Sequence, residues 1–562
     1  MGYVQEYNPL GNAFLSTLAA SLPVLALFLL LVVWRKPAPI AATAGALVAF
    51  LLAVLLYHMP AGMATVSFFY GCSFGLVPVA WVVANAMFLY NLTVVTGKFE
   101  AVRRSVAGLS ADHRIQAVLI GFSFGAFLEG AAGGGTPVAI CGALLVGLGF
   151  RPFLAAALCL LANTSPVAFG GLGTPILTLA GVTGLDAATL AAAAGRQLPI
   201  LSCIIPIWMV RLMVKWKETF EVLPILVVAG GSFAVSQYFF AHQPNLWGLT
   251  DIASSVVSLV CSALFLRVWK PKRTWRFESS KQESASTSPL TAGEVFKGWL
   301  PFGILFVLFF ALGLDRNHWV EGTQNEPRAL GPVQTSYWIR VPALHDRVAR
   351  GDQVLPAEQR ALPIEKRGEP AILKLNWLTT PGTVVLLTSL ISIAALRITR
   401  DQVKTAFWTT VRQMRIPVPT IAIMMGLGFI TRYGGLDATL GLAFTHTGKL
   451  YPFFAALLGW LGVFLTGTDA SSNALFGSLQ KLTAIQLGLN PILMATANST
   501  GGVMGKMIDA QSICVATAAT DQIGKEADLF KFVVWHSFIL ASIVGAIVLV
   551  QAYLWKSSVP VP

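Results

Sequence analysis

The chain has 562 residues, of which 55% are hydrophobic and only 12% are charged, and its mean hydropathy is +0.69. Soluble domains carry about 25% charged residues, so this composition excludes an ordinary soluble protein and indicates a polytopic helical membrane protein. The net charge of +13 comes from basic residues scattered over short loops, which suits membrane topology better than nucleic-acid binding.

Many apolar windows are long enough to cross a bilayer, which takes about 20 residues. The clearest are 13–34, 38–57, 220–241, 252–269, 298–314, 383–398 and 530–550. Because glycine-rich stretches interrupt other windows, we expect an all-α protein with roughly 12 to 14 crossings. The first window lacks a basic start and a cleavage site and is expected to stay as a helix. The six cysteines lie in apolar stretches without metal-ligand spacing, which predicts packing roles.

Five basic segments separate the windows, and the positive-inside rule places such short loops in the cytoplasm. They are 35–36, 98–114, 211–217, 270–297 and 397–415. Helix parity then puts both termini outside the cell. The same parity makes 315–374 an extracytoplasmic polar loop between an N-terminal membrane half (1–314) and a C-terminal half (375–562). Its nine Lys/Arg and eight Asp/Glu favour a solvated loop or cap.

The two halves repeat one pattern. FLEGAAGGGTPVAI, with Glu129, and FLTGTDASSNALF, with Asp469, each place an acid in a small, polar, glycine-rich patch. A G-x-x-P follows 19 or 20 residues later, and then an A-N-[ST]-[ST] tetrapeptide. Counted from the basic loops, the two units run in opposite directions. Inverted repeats with broken helices or re-entrant hairpins are typical of secondary transporters, whose site lies between the repeats.

The two acids are the predicted proton-coupling residues. A charged side chain at bilayer depth costs about 2.5 kcal/mol or more, so such residues usually face a cavity or a partner. Desolvation also makes a buried carboxyl able to take up and release a proton near neutral pH. The alternative is a structural acid bonded to exposed helix N–H groups.

Four stretches are predicted to be unwound: 130–137, 163–175, 467–473 and 498–505. Freed N–H groups and the N-termini of half-helices can bind an anion, and short polar side chains at the same points would add donors. The predicted substrate-binding residues are Gly130, Gly135, Thr136, Asn163, Thr164, Ser165, Ser471, Ser472, Asn473, Asn498, Ser499, Thr500 and Lys506. The alternative is close helix packing through small residues.

Basic residues inside apolar stretches are candidates for balancing substrate charge. Lys506 follows the second A-N-[ST]-[ST] motif, but Asp509 lies three residues on and could neutralise it. Arg196 lies in an apolar stretch, whereas Arg432 and His446 flank a short hairpin. TGGVMGKM lacks the spacing of a phosphate loop, and no nucleophile–base pair or His/Cys cluster stands out. The sequence therefore predicts no enzyme, no cofactor and no metal site.

Several long motifs carry a family resemblance: FGAFLEGAAGGGTPVAI, NTSPVAFGGLGTPIL, GRQLP, VVAGGSFA, GWLGVFLTGTDASSNALFGSLQ and ANSTGGVMGKMI. They closely resemble the bacterial lactate permease family, from NPLGN near the start to the last helix, more weakly over 315–374. Two departures are a glycine at or next to Gly134, where the family commonly has Phe, and Asp509-Ala510 in place of Ser-Pro. The second departure adds an acid near Lys506.

The resemblance implies a multi-pass bacterial inner-membrane symporter that imports a small 2-hydroxymonocarboxylate, such as L-lactate, D-lactate or glycolate, together with a proton. A sodium-coupled carboxylate carrier stays open as an alternative, since carbonyl oxygens and Asp469 could coordinate Na⁺. A passive channel and a membrane enzyme acting on lipids are the remaining rivals. The expected partners are the small substrate, the proton and the lipid bilayer.

Overall fold

The structure is a computed structural model that describes residues 2–30, 34, 36–132, 136–277, 291–313, 329–330, 333–354, 363, 367–378, 380–522 and 525–560. Helices dominate its N-terminal half. They are α1 Ala13–Phe28, α2 Ala38–Leu55, α3 Ala61–Phe74, α4 Trp81–Val95, α5 Lys98–Ala107, α6 His113–Gln116, α7 Gly125–Ala132, α8 Thr136–Gly147, α9 Pro152–Ala162, α10 Gly170–Thr183, α11 Ala187–Ala194, α12 Leu198–Met213, α13 Trp216–Glu221, α14 Leu223–Ala241, α15 Thr250–Val268 and α16 Ala292–Gly313. Two π-helical segments, Gly75–Ala80 and Ala117–Phe124, join α3 to α4 and α6 to α7.

The C-terminal half is also helical. Its helices are α17 Pro381–Ala395, α18 Arg400–Met414, α19 Pro417–Gly434, α20 Leu436–Phe444, α21 Tyr451–Thr466, α22 Asp469–Gln486, α23 Pro491–Gly505, α24 Ala510–Ala519 and α25 Glu526–Tyr553. The strands are short: β1 Tyr3–Val4, β2 Ala329–Leu330, β3 Val333–Gln334, β4 Tyr337–Arg340, β5 Val348–Ala349 and β6 Ile372–Leu375. They form three two-stranded sheets, β1–β5, β2–β3 and β4–β6.

Among the described residues, four helical stretches are long and apolar enough to cross a membrane: Leu223–Ala241, Trp247–Val268, Leu436–Phe464 and Glu526–Tyr553. Three further pairs of helices pass the same test together although they are bent by 63°, 42° and 41°, which gives up to seven spans. Shorter apolar helices accompany them. The all-α polytopic membrane class is confirmed, and the breaks explain why counting helices by length finds fewer spans than the sequence predicts.

Most of the basic segments meet at one end of the helices, here called the loop face. The guanidinium of Arg114 forms salt bridges with Asp112 (2.8 Å) and Glu221 (3.0 Å) and donates to the carbonyl of Arg273 (2.9 Å). These contacts join three basic segments. The fourth, 397–415, reaches the end of α4, where Asn91 donates to Gln413 (2.7 Å).

Both chain ends lie at the opposite end, here called the terminal face. β1 pairs in parallel with β5, which belongs to the polar loop 315–374, called the central polar segment from here on. Gln5 donates to the carbonyl of Arg432 (2.8 Å). Near the other end of the chain, Arg196 donates to the carbonyl of Ser558 (2.6 Å). Since α12 runs from beside Arg196 to the basic segment at 211–217, the two faces lie on opposite sides.

The two repeats are inverted relative to each other, as the sequence predicts. The G-x-x-P segment between α8 and α9 lies at the loop face, where the Phe150 ring stacks on His113 (centroids 4.9 Å apart). Its counterpart between α22 and α23 lies at the terminal face, where Asn490 donates to the carbonyl of Pro560 (2.9 Å). Each unit is therefore a hairpin followed by a broken helix, entering from opposite sides.

Candidate functional site

The candidate interior site lies where two pairs of helices and two helix breaks meet. In the first repeat, α7 ends at residue 132 and α8 begins at 136, while α9 and α10 are separated by a turn. In the second repeat, α21 and α22 are joined by Gly467 (φ +78°) and Thr468, and α23 is followed by a break before α24. Asn473 on α22 donates to the carbonyl of Pro175 on α10 (3.2 Å), so the two repeats touch here.

Glu129, on α7, is the predicted proton-coupling acid of the first repeat. Its side chain is buried, and its Oε2 atom has no hydrogen-bond partner among the described residues. Gly170 packs directly against it: a β-carbon at that position would lie 2.5 Å from Glu129 Oε1. A side chain at the start of α10 would therefore have to displace this carboxyl group.

The break in α10 has unusual backbone geometry. Gly171, Leu172 and Gly173 have φ values of +50°, +59° and +77°, and a left-handed conformation costs a residue such as leucine about 1 to 2 kcal/mol. Backbone strain of this kind collects at functional sites. Gly173 also leaves no room for a side chain, because Trp247 fills the adjacent space.

Asp251, at the start of α15, is a second buried acid beside Glu129. Its relative exposure is 0%, and neither carboxylate oxygen has a partner among the described residues. Gly130 packs against its Cβ atom: a β-carbon at Gly130 would lie 2.9 Å away. Asp251 also interacts electrostatically with Glu129. The sequence analysis missed this residue because it lies just before the apolar window that begins at 252; the serines at 254, 255, 258 and 262 were the available signal of a polar helix face.

Asn163, at the end of α9, lies beside Glu129. Both polar atoms of its amide are buried without a hydrogen-bond partner in the described part of the chain. Its neighbours are committed elsewhere: Thr164 donates to the carbonyl of Leu161 (2.7 Å), and Ser165 bonds Ser202 (2.5 Å). Of the three polar residues predicted at this break, Asn163 is the one whose side chain interacts with Glu129.

Asp469, at the start of α22, is bonded more fully than Glu129. Its Oδ2 atom accepts hydrogen bonds from Asn473 (3.2 Å) and Ser499 (2.5 Å), whereas Oδ1 has no partner among the described residues. Thr468 caps the helix by accepting from the Ser471 N–H (3.1 Å). One oxygen of Asp469 is thus held by side-chain donors and the other is available, and its proton-coupling role stays a prediction.

The remaining polar residues of the second repeat bond one another. Asn498 donates to Asn473 (2.9 Å) and accepts from Gln480 (3.1 Å), while Ser472 donates to the carbonyl of Gly459 (3.1 Å). Thr500 points away from this group and donates to Gln197 (2.5 Å). These side chains hold α21, α22 and α23 together, so a role as substrate donors stays a prediction for them.

Lys506 joins the turn of the second hairpin to the break after α23. Its ammonium donates to the carbonyl of Gly467 (2.7 Å) and lies 3.3 Å from Asp509. The predicted pairing with Asp509 is therefore present, and Asp509 also caps α24 through the Ser512 N–H (2.8 Å). The charge of Lys506 nevertheless acts on both Glu129 and Asp469.

Three predicted breaks differ in the structure. In 130–137, the described residues are helical, since α7 runs to Ala132 and α8 begins at Thr136. The stretch 498–505 is not unwound, because α23 is continuous through it and the break begins at Lys506. Its glycines permit close packing instead: a β-carbon at Gly501 or Gly505 would collide with the carbonyl of Ala456 or Trp460 on α21. This is the small-residue packing that stabilises membrane helices. In 467–473 only the first two residues are unwound, since α22 begins at Asp469.

Gly135 and the side chain of Thr136 lie outside the described residues, so their predicted roles stay untested. Arg196, another candidate for balancing substrate charge, is half-buried and donates to His242 (3.0 Å) at the terminal face. Among the described residues there is no group of three or more His, Cys, Asp or Glu side chains that could hold a metal ion.

Comparison with known proteins gives one consistent result. The family model described as L-lactate permease matches residues 16–555. The chain is 42% identical over 573 residues to an L-lactate permease of Escherichia coli, covering 99% of both chains. It is 43% identical to a glycolate permease of the same organism, covering 98% of both, and 41% identical to an L-lactate permease of Bacillus subtilis, covering 100% of both. This chain belongs to the L-lactate permease family.

Proposed function

We propose that this chain is a secondary transporter of the bacterial inner membrane that imports a small 2-hydroxymonocarboxylate, namely L-lactate, D-lactate or glycolate, together with a proton. The substrate class rests on the names of its full-length relatives, which include L-lactate and glycolate permeases. Proton coupling rests on the chemistry of the interior site.

The observation that carries the coupling proposal is the pair Glu129 and Asp251. Two neighbouring carboxyl groups that are buried, with three of their four oxygen atoms unpaired among the described residues, cannot both stay charged, since each ion repels the other and is removed from water. A bound proton removes one of these charges. The pair is therefore suited to carry a proton through the membrane interior.

Substrate binding would use the polar and charged groups around this pair. The Asn163 amide can donate to a carboxylate or to the neighbouring hydroxyl group, and Lys506 supplies a positive charge nearby. One proton and one monocarboxylate together carry no net charge. This lowers the cost of moving the substrate through a low-dielectric region.

The test is uptake of labelled L-lactate into proteoliposomes under an imposed pH gradient, inside alkaline. We expect accumulation with the native chain and none with Glu129→Gln, because the amide cannot take up the proton. Exchange of external for internal lactate at equal pH should survive in the variant. Accumulation that persists with Glu129→Gln would contradict the assigned role.

Uptake driven by a sodium gradient at fixed pH distinguishes the sodium-coupled alternative from proton symport. Proton symport predicts no accumulation in that arm, and accumulation there would reject it. A passive channel would equilibrate lactate in either arm without concentrating it. Competition by D-lactate, glycolate, pyruvate and acetate in the same vesicles would rank the substrates.

A further inference from the structure

A second polar site lies at the terminal face, apart from the buried acids. It is a cavity of about 900 Å³ between the central polar segment and the ends of α10, α19 and α22, within the range of about 300–1,000 Å³ common for ligand pockets. Its lining includes five basic residues and two acidic ones: Arg350, Arg367, Lys374, Arg432 and Lys481, against Asp186 and Glu369. We call this cavity the basic vestibule.

The positive charges of the basic vestibule are only partly neutralised. Glu369 bridges Arg350 and Arg432, with Arg432 Nε 3.3 Å from its Oε2 atom. One carboxylate therefore serves two guanidinium groups. Lys374 lies over the ring of Trp338, 4.3 Å from its centroid, which leaves the ammonium without a charged partner in this contact.

Lys481 is the most distinctive group in the vestibule. Its ammonium donates to the carbonyl oxygen of Thr183 (2.6 Å), a neutral acceptor, and it forms no salt bridge with the described residues. The positive charges of Arg432 and Arg350 act on it as well as the negative charge of Glu369. Like charges held together in a partly closed cavity create a field that attracts anions.

Helix α10 contributes residues both to the basic vestibule and to the interior site. Leu177 and Thr183 line the cavity, whereas Gly170 at the other end of the same helix packs on Glu129. Between them, the carbonyl of Pro175 accepts the hydrogen bond from Asn473. An anion in the vestibule is thus about two to three helical turns from the paired acids.

We propose that the basic vestibule is a capture site for small carboxylate anions, in which Lys481 is the main charged contact and from which substrate passes to the interior site. This inference rests on the proposed function, because it assigns the terminal face as the side of entry. The vestibule would raise the local substrate concentration and would not take part in proton coupling.

The test compares Lys481→Gln with the native chain in lactate uptake at low and high ionic strength. We expect the variant to raise KM roughly three- to tenfold at low salt with Vmax nearly unchanged, and to lose the salt dependence of KM that the native chain shows. Lys481→Arg should restore native KM. Lys449→Gln is the matched control, since Lys449 is exposed and lies outside the cavity, just before α21.

A native KM in Lys481→Gln at low salt would overturn the proposal while leaving proton-driven uptake, and hence the proposed function, intact. If Lys481→Gln fails to fold, Lys374→Gln carries the same expectation and the same contradicting outcome. A lipid headgroup is the other possible source of an anion. Vesicles of neutral lipid alone separate the two, since an effect of Lys481→Gln that appears only with anionic lipid would reject carboxylate capture.

Discussion

Asp251 and Glu129 are chemically alike, but their positions give them different expected behaviour. Glu129 lies on α7 beside the Asn163 amide and within the influence of Lys506, so we expect it to be the carboxyl group that exchanges its proton against substrate. Asp251 contributes a second carboxyl group on α15, next to a helix face that continues with Ser254, Ser255, Ser258 and Ser262. We expect Asp251 to hold the proton whenever Glu129 is charged.

Substitution of Asp251 by asparagine tests this division. We expect Asp251→Asn to lower pH-driven lactate accumulation by about tenfold or more, because the proton then has a single acceptor, while equal-pH exchange continues. The measurement is the pair of uptake assays on proteoliposomes. Asp401→Asn, at an exposed position of α18, is the control. A loss of the same size in this variant would contradict a specific role for Asp251.

Gly170 offers a purely steric test at the same place. Its backbone (φ −59°, ψ 151°) suits any residue, so Gly170→Ala acts only through the new methyl group, which would press on Glu129. We expect overpacking of about 1 to 3 kcal/mol and a strong loss of uptake. Gly231→Ala on α14 meets no atom within 4 Å and should gain up to about 1 kcal/mol from helix propensity. Thermal unfolding in detergent measures both, and equal effects would contradict the steric account.

At the scale of elements, Glu369 ties the central polar segment to α19. Burial alone would raise the pKa of this carboxyl group, but Arg350 and Arg432 outweigh burial and lower it from 4.5 to about 2. Because the folded pKa lies below the ordinary value, the ion pairs stabilise docking above that value, and the contribution is lost as the pH falls towards 2. The central polar segment should therefore stay packed against α19 in mild acid.

Hydrogen exchange over residues 341–351 measures this docking. We expect protection factors to hold from neutral pH down to about 4 and to fall below about 3. Glu369→Gln should lose protection at every pH, since two buried guanidinium groups lose their partner at a cost on the order of 3 kcal/mol. Asp352→Asn is the control: its carboxylate is 72% exposed, so the change should cost less than about 1 kcal/mol. Protection in Glu369→Gln equal to that of the native chain would be the contrary result.

The sequence predicts correctly those helix breaks that neighbouring residues in the chain determine. The break at 163–175 was predictable because three of four consecutive residues there are Gly170, Gly171 and Gly173, followed by a proline. The prediction of a break at 498–505 was wrong, because glycine is compatible with a continuous helix. Gly501 instead allows a neighbouring helix to pack closely against α23. The Glu129–Asp251 pair and the basic vestibule join residues far apart in the chain, and no local pattern specifies such contacts.

At the scale of the whole molecule, one prediction decides the direction of transport. Four basic segments lie at the loop face, so the positive-inside rule predicts that this face is cytoplasmic. It predicts that the terminal face, with the basic vestibule, is extracytoplasmic. Lys449 and Lys217 are both exposed and lie near opposite faces. Each can be replaced by cysteine in a chain whose exposed Cys203 is changed to alanine.

In intact cells, a membrane-impermeant maleimide should label Lys449→Cys and spare Lys217→Cys, which should react only after the membrane is opened. The reason is that impermeant reagent reaches only the extracytoplasmic face. Uptake by both variants checks that they are folded. Labelling of Lys217→Cys from outside would reverse the orientation. It would also place the basic vestibule at the exit, so that Lys481 would act on substrate release and not on capture.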